Sequence, residues 1–350
     1  MAHPMTAQVG VILGQVGTPL SLDRGEVRRY LREFLSDQRV IDLPRWRWLP
    51  ILHGLVLPTR PKMVAHHFAE IWTDDGSPLL VYSQAQREGI ANRLGQRYQV
   101  ELGMAYSQPS IAGAVARLEA AGIRKIIVLP LFPQYSNSTT ASIYDEVSFH
   151  ALGRSRRRGL PRKKFSPTLR FVHPYYDDPA YIRVLADNIR GQLADGDPPD
   201  RMVVSYHGLP RRFDDEGDPY RSQCEETTRL LAKALDWSAG SYEMAYQSRF
   251  GRTEWIKPYL QPRLEQLHSD GVRRPAIVSP GFTTDCLETL HELAIEGRQL
   301  YENGGGDGAG YRAIRCLNDD PAWLDYLAGL IEQNAAGWAT REASRTTVST

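Results

Sequence analysis

Hydrophobic and polar positions follow two alternating patterns along the chain. Short apolar or β-branched runs, such as VGVILGQ (9–15) and MVVSYHG (202–208), alternate with longer segments in which apolar residues recur at helical spacing. This alternation is typical of βαβ units and a parallel sheet. Further strands are predicted at 100–106, 125–131, 169–174, 242–248 and 275–281. Helices are predicted at 24–35, 82–96, 109–121, 179–194, 219–235 and 253–269.

The two halves of the chain end their predicted strands in similar ways. Three short matches occur in the same order: 17–19 with 208–210, 104–106 with 244–246, and 128–130 with 278–280. A chain of 350 residues has room for two domains, so we interpret the matches as an internal duplication. Each match falls at the carboxyl end of a strand, where open α/β sheets bind their ligands.

The first half carries an insertion, at about 36–80, that the second half lacks. It contains LPRWRWLPILHGLVLP (43–58), here called the apolar lip, in which nine of 16 residues are large and apolar. The prolines at 44, 50 and 58 predict that the lip is not one long helix. Two interpretations stay open: a helical hairpin packed into the core, or an apolar surface that faces a flat hydrophobic ligand or a membrane.

Composition narrows the class of protein. The 42 basic and 41 acidic residues give a net charge of +1, and 42% of residues are hydrophobic, which excludes a disordered chain and a general nucleic-acid binder. The three cysteines, Cys224, Cys286 and Cys316, are too widely spaced for a CxxC site or a disulfide framework. We find no signal peptide and no run of about 18 apolar residues, so a cytoplasmic protein is expected.

Three segments are interpreted as surface. GRSRRRGLPRKK (153–164) holds seven basic residues and is predicted to be a solvated loop, with contact to anionic lipid or a partner as the alternative. The glycines between 304 and 310 follow a helix rather than a strand, so they predict a flexible loop and not a dinucleotide fingerprint. The tail from about Gly337 is predicted to be disordered.

The first candidate for chemistry is His207, which ends a predicted strand and precedes a turn at Gly208 and Pro210. An imidazole at the carboxyl end of a strand can transfer protons at neutral pH. A histidine that only hydrogen-bonds a loop is the structural alternative.

The second candidate is a row of carboxylates in PGFTTDCLETLHELAIEGRQL (280–300). Thr283 or Thr284 is the predicted N-cap, which places Asp285 in the first turn. Glu288, Glu292 and Glu296, here called the carboxylate row, recur every four residues and so share one face of an α-helix. A solvated acidic face would explain the row; a path for a divalent cation or for protons is the functional interpretation.

The third candidate is the polar loop, residues 134–140, which follows a predicted strand and opens a helix. Backbone amides and hydroxyl groups at a helix start bind carboxylates or phosphates. No GxxxxGK[ST] accompanies the loop, so it is not a P-loop.

Together these segments resemble the ferrochelatase family, which inserts Fe(II) into a porphyrin, from about residue 8 to 325. The motifs that carry the resemblance occur in order: LGQVGTP, FLSDQRVIDLP, GSPL, GMAYSQPS, PLFPQYSNSTT, SYHGLP, GDPY, YQSRFG and PGFTTDCLETL. The resemblance implies an α/β fold of two Rossmann-like lobes, each a parallel sheet flanked by helices, with the active-site cleft between them. We expect lobes at 1–175 and 176–325, and a C-terminal helix with a disordered tail at 326–350.

The resemblance also implies roles for individual residues. His207 and Glu288 match the family's catalytic and metal-facing pair across the cleft. Asp285, Glu292 and Glu296 fall on its acidic helix, which carries protons or metal. The expected porphyrin contacts are Val16, Tyr135, Ser136, Thr139, Trp255, Phe282, and Leu49 and Leu52 of the apolar lip.

Departures from the family pattern refine the expected substrate and cofactors. Some coproporphyrin-type members carry a tyrosine where this chain has Val16, which cannot ligate iron, so protoporphyrin IX is the expected substrate and protohaem the product. No cysteine follows Cys316, so no [2Fe–2S] cluster and no tightly bound cofactor are expected. The open alternatives are a coproporphyrin ferrochelatase, another tetrapyrrole metal chelatase, or a carrier that binds haem or porphyrin without catalysis.

The expected partners are the porphyrin and Fe(II), with no nucleic acid. Peripheral contact with the inner face of the membrane, or with the preceding enzyme of porphyrin synthesis, is an open expectation. A monomer or weak dimer is expected.

Overall fold

The computed structural model describes residues 7–153, 163, 165–251 and 253–338. Within these residues it contains two four-stranded parallel sheets. The first sheet has the order β2-β1-β3-β4 and consists of β1 (Val9–Gln15), β2 (Tyr98–Met104), β3 (Lys125–Pro130) and β4 (Thr168–Phe171). The second has the order β6-β5-β7-β8 and consists of β5 (Arg201–His207), β6 (Tyr242–Gln247), β7 (Pro275–Val278) and β8 (Arg312–Ala313). The predicted α/β architecture with two Rossmann-like lobes is confirmed.

Helices flank both sheets. In the first lobe they are α1 (Arg24–Ser36), α2 (Arg45–Ile51), α3 (Leu57–Ile71), α4 (Pro78–Leu94), α5 (Ile111–Ala120) and α6 (Ser142–Leu152). In the second lobe and beyond it they are α7 (Pro179–Leu193), α8 (Arg211–Asp215), α9 (Tyr220–Ala234), α10 (Leu260–Leu267), α11 (Gly297–Asn303) and α12 (Pro321–Asn334). Three π-helical segments occur at Leu52–Val56, Asn137–Ala141 and Glu288–Glu296 among the described residues.

The predicted elements and the observed ones differ at a few ends. The helix predicted at 253–269 begins only at Leu260, because Pro258 disfavours the helical conformation for the residue before it. The helix predicted from 82 begins earlier, at Pro78, since the fixed φ of proline suits the first helical turn. Strand β8 was not predicted, because two residues are too short to show an alternating pattern.

Strand register separates a real internal match from a chance one. Val128 pairs with Ile12 and Val278 pairs with Val204, so these two valines hold equivalent places in the two sheets. Met104 pairs with the last residue of β1, whereas Met244 pairs with the middle of β5. The match between 104–106 and 244–246 is therefore a coincidence of sequence, although the common strand order supports the duplication itself.

The apolar lip lies within one continuous helical path, residues 45–71, here called the lip helix. The prediction that its prolines prevent a long helix was wrong. Pro50 and Pro58 remove the donors for the carbonyls of Trp46 and Gly54, but both of those residues are exposed, so water can satisfy them. The π-helical turn at Leu52–Val56, in which the Leu57 N–H donates five residues back to Leu52, separates the two prolines.

The lip helix is apolar on two sides. Trp48, Leu52, Val56 and Leu57 pack with Val27 and Leu31 of α1 into a small buried cluster. On the other side the Trp46 side chain is 72% exposed and Leu55 is 61% exposed. Both sequence interpretations thus describe part of the lip, which is packed on one face and open on the other. No helix among the described residues is both long and apolar enough to cross a membrane.

A hydrophobic cluster, here called the shared core, joins the two lobes. It contains Val11 and Leu102 from the first sheet, Val204 and Tyr246 from the second, and Trp323 from α12. Helix α12 begins at Pro321, before the predicted boundary at 326. The predicted boundary at 175/176 separates the two sheets along the chain. It does not separate two hydrophobic cores, because one buried cluster contains residues of both halves.

Two other predicted surface segments have different outcomes. Of the basic stretch (153–164), only Gly153 and Lys163 are described; the Lys163 ammonium group donates to Glu119 at 2.6 Å, and the tail is described only to residue 338. The glycines at 304–310, predicted to form a flexible loop, are tightly packed instead. A Cβ atom at Gly304 would lie 2.1 Å from the Glu265 carbonyl oxygen, and one at Gly306 would lie 2.3 Å from the Tyr301 ring.

We expect Gly304→Ala to lower the free energy of unfolding by about 1–3 kcal/mol, because the added methyl group overlaps a backbone atom that cannot rotate away. The φ of Gly304 is −75°, which alanine adopts readily, so the effect is purely steric. Gly329→Ala in α12 is the matched control: nothing lies within 4 Å of its added Cβ, and the change should stabilise by about 0.5–1 kcal/mol. Thermal unfolding followed by circular dichroism measures both, and equal midpoints for the two variants would contradict the packing argument.

Candidate active site

His207 ends strand β5 at the mouth of the second sheet, opposite Gln247, the last residue of β6. Its Nδ1 lies 2.6 Å from the Gly208 carbonyl oxygen. A carbonyl only accepts hydrogen bonds, so Nδ1 carries the ring proton and donates it there. The lone pair of Nε2 is then free to accept a proton or to bind a metal. The half-buried imidazole is thereby oriented for chemistry.

Trp255 packs directly behind His207. The two ring centroids are 6.3 Å apart, and a Cβ atom at Gly208 would lie 3.0 Å from the indole ring. The indole is buried, and its N–H has no hydrogen-bond partner among the described residues. Trp255 therefore holds the imidazole in place and offers a predicted porphyrin only a small edge.

Glu292 is the carboxylate that the structure brings into the electrostatic field of His207. It accepts the Ser248 backbone N–H at 2.6 Å, the Ser248 hydroxyl at 2.5 Å and the Gln247 side-chain amide at 3.2 Å. Burial raises the pKa of Glu292, while the Ser248 hydrogen bonds, and His207 when it is protonated, lower it in part. A group balanced in this way can change protonation state during a reaction.

The loop after β6 makes this arrangement possible. Ser248 has a φ of +63°, a left-handed conformation that is uncommon outside glycine. That turn directs both the Ser248 N–H and its hydroxyl at one carboxylate. Gln247 is fixed in turn, because its amide oxygen accepts the Ser205 hydroxyl at 2.7 Å. Nothing in the sequence indicated that these two residues hold Glu292, which lies more than 40 positions later.

The helix that carries the carboxylate row differs from the predicted one. It is π-helical from Glu288 to Glu296, here called the acidic helix, and the Gly297 N–H donates five residues back to Glu292. Neither Thr283 nor Thr284 is the N-cap, since helical structure begins only at Leu287. All three glutamates are partly exposed, so the row is neither fully buried nor an open acidic face.

Glu288 lies at the inner end of the row. Its backbone carbonyl accepts the Gln247 amide at 3.0 Å. The side chain neighbours Tyr30 of α1 and Cys286: burial raises the pKa of Tyr30, and the charge of Glu288 raises it further. Tyr30 was not predicted, because nothing in the sequence of α1 distinguishes it from a packing residue.

Asp285 does not belong to the carboxylate row. It precedes the acidic helix and is 1% exposed. Its two oxygens accept four hydrogen bonds, from Arg315 at 2.5 Å, Asn318 at 2.8 Å, Thr289 at 3.0 Å and the Cys316 N–H at 3.2 Å. All its acceptor positions are used, so the predicted part in proton or metal transfer is corrected to a structural one.

The outer end of the row meets the lip helix. Glu296 Oε1 lies 3.8 Å from His291 Nδ1, and Glu70 Oε2 lies 2.8 Å from His291 Nε2. The ring of His67 stacks on that of His291 with centroids 4.1 Å apart. Burial lowers the pKa of His67, and His291 lowers it further. These histidines were missed because their partners are more than 200 residues apart in sequence.

The polar loop is tied to the second lobe rather than left open. The Tyr135 N–H donates to Gln223 at 2.7 Å. The Ser136 hydroxyl contacts Asp218, and its residue is 2% exposed, so Ser136 positions the loop instead of contacting a porphyrin. Thr139 and the Tyr135 ring are half-buried and remain candidates for ligand contact.

The remaining predicted porphyrin contacts divide by exposure. Val16, Leu49 and Phe282 are half-buried, with side chains that a ligand could reach. Leu52 is 0% exposed within the cluster beneath the lip helix. Leu52 therefore packs the lip helix against α1, and the prediction that it contacts the porphyrin is corrected.

Comparison with known proteins identifies relatives over almost the whole chain. A family model described as Ferrochelatase matches residues 8–335. Proteins named Ferrochelatase from Azoarcus sp. and Alcanivorax borkumensis are each 43% identical, covering 98% and 97% of this chain and 94% and 97% of their own length. One from Bordetella pertussis is 45% identical over 95% of this chain and 90% of its own.

A solved structure described as SirB from Bacillus subtilis with Fe3+ has the same fold. Its TM-score is 0.54 at 13% identity, covering 94% of this chain and 96% of that one.

The environment of Glu292 predicts a carboxyl group that stays protonated above pH 4.5. Because folding raises its pKa, a protonated carboxyl band should persist in the infrared spectrum as the pH rises from 4.5 and then disappear. The band should be absent from Glu292→Gln and present in Glu296→Gln, the matched control on the same helix. A spectrum of Glu292→Gln identical to that of the unchanged protein would contradict the assignment.

Proposed function

Since the chain belongs to the ferrochelatase family, a family of lyases that insert metal into a porphyrin, we propose that its reaction is the insertion of Fe(II) into protoporphyrin IX. The products are protohaem and two protons. The observation that carries the proposal is a His207 imidazole oriented with its Nε2 free, on a strand paired with the one whose last residue and following turn hold half-buried Glu292.

Metal insertion requires the removal of two pyrrole protons. These protons are weakly acidic in a flat macrocycle, and bending the ring exposes the nitrogen lone pairs to a base and to the metal. Contacts elsewhere on the macrocycle supply the energy for bending. In this proposal His207 Nε2 accepts the two pyrrole protons in turn and passes the first one on before it takes the second, because Nδ1 is already committed to the Gly208 carbonyl.

The carboxylate row gives the accepted proton a route outward. Glu292 lies between His207 and the outer end of the acidic helix, and its raised pKa brings it closer to that of an imidazole. Glu292 takes up the proton and Glu296, which is half-exposed, passes it to solvent. Glu288, at the inner end beside Tyr30, is proposed to bind and desolvate the incoming metal, with His207 Nε2 as a second ligand before that nitrogen takes up a proton.

The apolar residues exposed on the lip helix support protoporphyrin IX rather than coproporphyrin III as the substrate. Coproporphyrin has four carboxylates, whereas protoporphyrin has two carboxylates and two apolar vinyl groups. The exposed Trp46, Ile51 and Leu55 of the lip helix can cover vinyl groups but cannot pair with extra carboxylates. Val16, Leu49, Phe282, Tyr135 and Thr139 are proposed to contact the macrocycle.

Cofactors, partners and location are also proposals. We propose that Fe(II) and the porphyrin are substrates and that the protein uses neither a tightly bound cofactor nor a [2Fe–2S] cluster. The exposed apolar face of the lip helix supports peripheral contact with the membrane or with the preceding enzyme of the pathway. The proposal also includes a cytoplasmic location, a monomer or weak dimer as the oligomeric state, and no nucleic acid among the partners.

His207→Ala should retain less than about 1% of the metallation rate while it still binds porphyrin, because a general base contributes about 10²–10⁴-fold to a rate. Protoporphyrin IX with Fe(II) under anaerobic conditions, or with Zn(II), is followed by absorbance. His173→Ala, an exposed histidine after β4, is the matched control and should keep the full rate. A carrier would give a binding shift without turnover in the unchanged protein, and that result would contradict the proposed function.

The substrate preference is tested separately. The ratio of kcat/KM for protoporphyrin IX to that for coproporphyrin III should exceed about ten, since leaving one extra carboxylate poorly paired costs more than about 1.4 kcal/mol. Leu55→Arg and Leu55→Met form a matched pair on the lip helix. The arginine variant should lower the ratio of the two kcat/KM values, because its charge can pair with a coproporphyrin carboxylate, and the methionine variant should leave the ratio unchanged. A ratio below one in the unchanged protein would identify a coproporphyrin ferrochelatase instead.

A further inference from the structure

Asn318 lies in the loop between β8 and α12 and has a φ of +49°. This left-handed conformation is uncommon outside glycine, and among the described residues only two other non-glycine residues share it, Asp236 and Ser248. Asn318 is 8% exposed, so the surrounding protein holds it in this conformation. Ser248 uses its conformation to hold Glu292, and Asn318 holds a second point on the same segment.

Asn318 uses both its backbone and its side chain on the residues around it. Its side-chain amide donates to Asp285 Oδ2 at 2.8 Å, and its amide oxygen accepts the Asp285 backbone N–H, also at 2.8 Å. Its backbone N–H donates to the Thr283 carbonyl oxygen at 3.0 Å. Its carbonyl oxygen accepts the side-chain amide of Gln86, in α4, at 2.6 Å. Asn318 therefore joins the turn before the acidic helix to a helix of the first lobe.

Asp285 extends this constraint into the acidic helix. Its Oδ1 accepts the Thr289 hydroxyl at 3.0 Å, and the oxygen of that hydroxyl accepts the Cys286 backbone N–H at 3.0 Å. Residues 285–289 are therefore tied together around one carboxylate. Glu288 lies inside this set, so its backbone position depends on the contacts of Asp285.

We propose that Asn318 is a positioning residue for metal insertion, which acts by fixing Asp285 and thereby the place of Glu288 in the cleft. Asn318 holds the turn before Glu288. Ser248 holds Glu292, about one helical turn after it. The proposal rests on the proposed function in one respect, which is the part of Glu288 in binding the incoming metal. The anchoring of the turn by Asn318 does not depend on that function.

The rival explanation is that Asn318 only stabilises the fold. In that case its loss lowers the amount of folded protein, and the enzyme that remains folded binds Fe(II) as before. Asn318→Gly distinguishes the two explanations, because glycine adopts the positive φ without strain and removes only the side-chain hydrogen bonds. Asp236→Gly is the matched control, since Asp236 is exposed, follows α9 and has a φ of +53°.

Hydrogen exchange of the porphyrin-free protein tests the anchoring. Asn318→Gly should raise the exchange rates of backbone amides in 285–289 at least about tenfold, because this turn loses the contacts that protect it. Amides in 293–297 should change by less than about twofold, since Glu292 keeps its own donors. Asp236→Gly should leave both segments unchanged. Unaltered exchange in 285–289, or an equal rise in both segments, would overturn the anchoring.

A charge-conserving exchange of the two partners supplies a second pair of variants. Asn318→Asp alone places two carboxylates in contact and removes the donor to Asp285. Adding Asp285→Asn restores one donor and one acceptor, and Arg315, whose side chain is 51% exposed, can pair with the moved carboxylate. The KM for Fe(II) of the double variant should be at least about twofold lower than that of Asn318→Asp. A double variant no better than the single one would overturn the pairing.

Steady-state kinetics test the part of Asn318 in metal insertion, with each substrate varied at a saturating concentration of the other. Asn318→Gly should raise the KM for Fe(II) at least about threefold and leave the KM for porphyrin within about twofold, because the residue proposed to meet the metal is displaced. Asp236→Gly should match the unchanged enzyme. A lower kcat with both KM values unaltered would overturn the positioning role. If the unchanged enzyme metallates no porphyrin, the proposed function fails, while hydrogen exchange still decides the anchoring.

Discussion

A carboxylate that leaves water must find hydrogen-bond donors, and the second lobe is organised around that requirement at Glu292. Its donors come from Gln247 and Ser248, at the end of β6 and in the turn that follows. The positive φ of Ser248 carries a conformational cost that these hydrogen bonds offset. Because β6 pairs with β5, the same turn fixes the distance from Glu292 to His207. The proposed base and its proposed proton acceptor are thus both positioned by the β5–β6 strand pair.

The general architecture followed from sequence pattern because parallel sheets depend on local hydrophobic runs. The place of His207 was predictable for the same reason, as the strand before it is apolar and the turn after it carries glycine and proline. The carboxylate row was predicted with the wrong helix type, since a spacing of four fits both an α-helix and a π-helix. The hydrogen bonds of Glu292 could not be predicted, because their donors lie at the end of strand β6 and in the turn that follows it.

Other errors have similar physical causes. Asp285 was assigned to the row from its position in sequence, but the residues that occupy its oxygens, Arg315 and Asn318 among them, lie 30 or more positions later. Leu52 was assigned to a ligand surface because an apolar pattern does not tell which side of a helix is covered. Prolines were read as helix ends, although exposed carbonyls can be satisfied by water when a proline removes their donor.

The shared core has a consequence for how anything enters or leaves the cleft. Its members number several tens of side chains from both sheets and α12, and each buried aliphatic or aromatic side chain contributes about 1.5–3 kcal/mol. Since the cluster joins side chains of the first sheet to side chains of the second sheet and of α12, swinging the lobes apart would expose apolar surface to water. The two lobes are therefore expected to move as one body, so that a ligand has to reach the site without separating them.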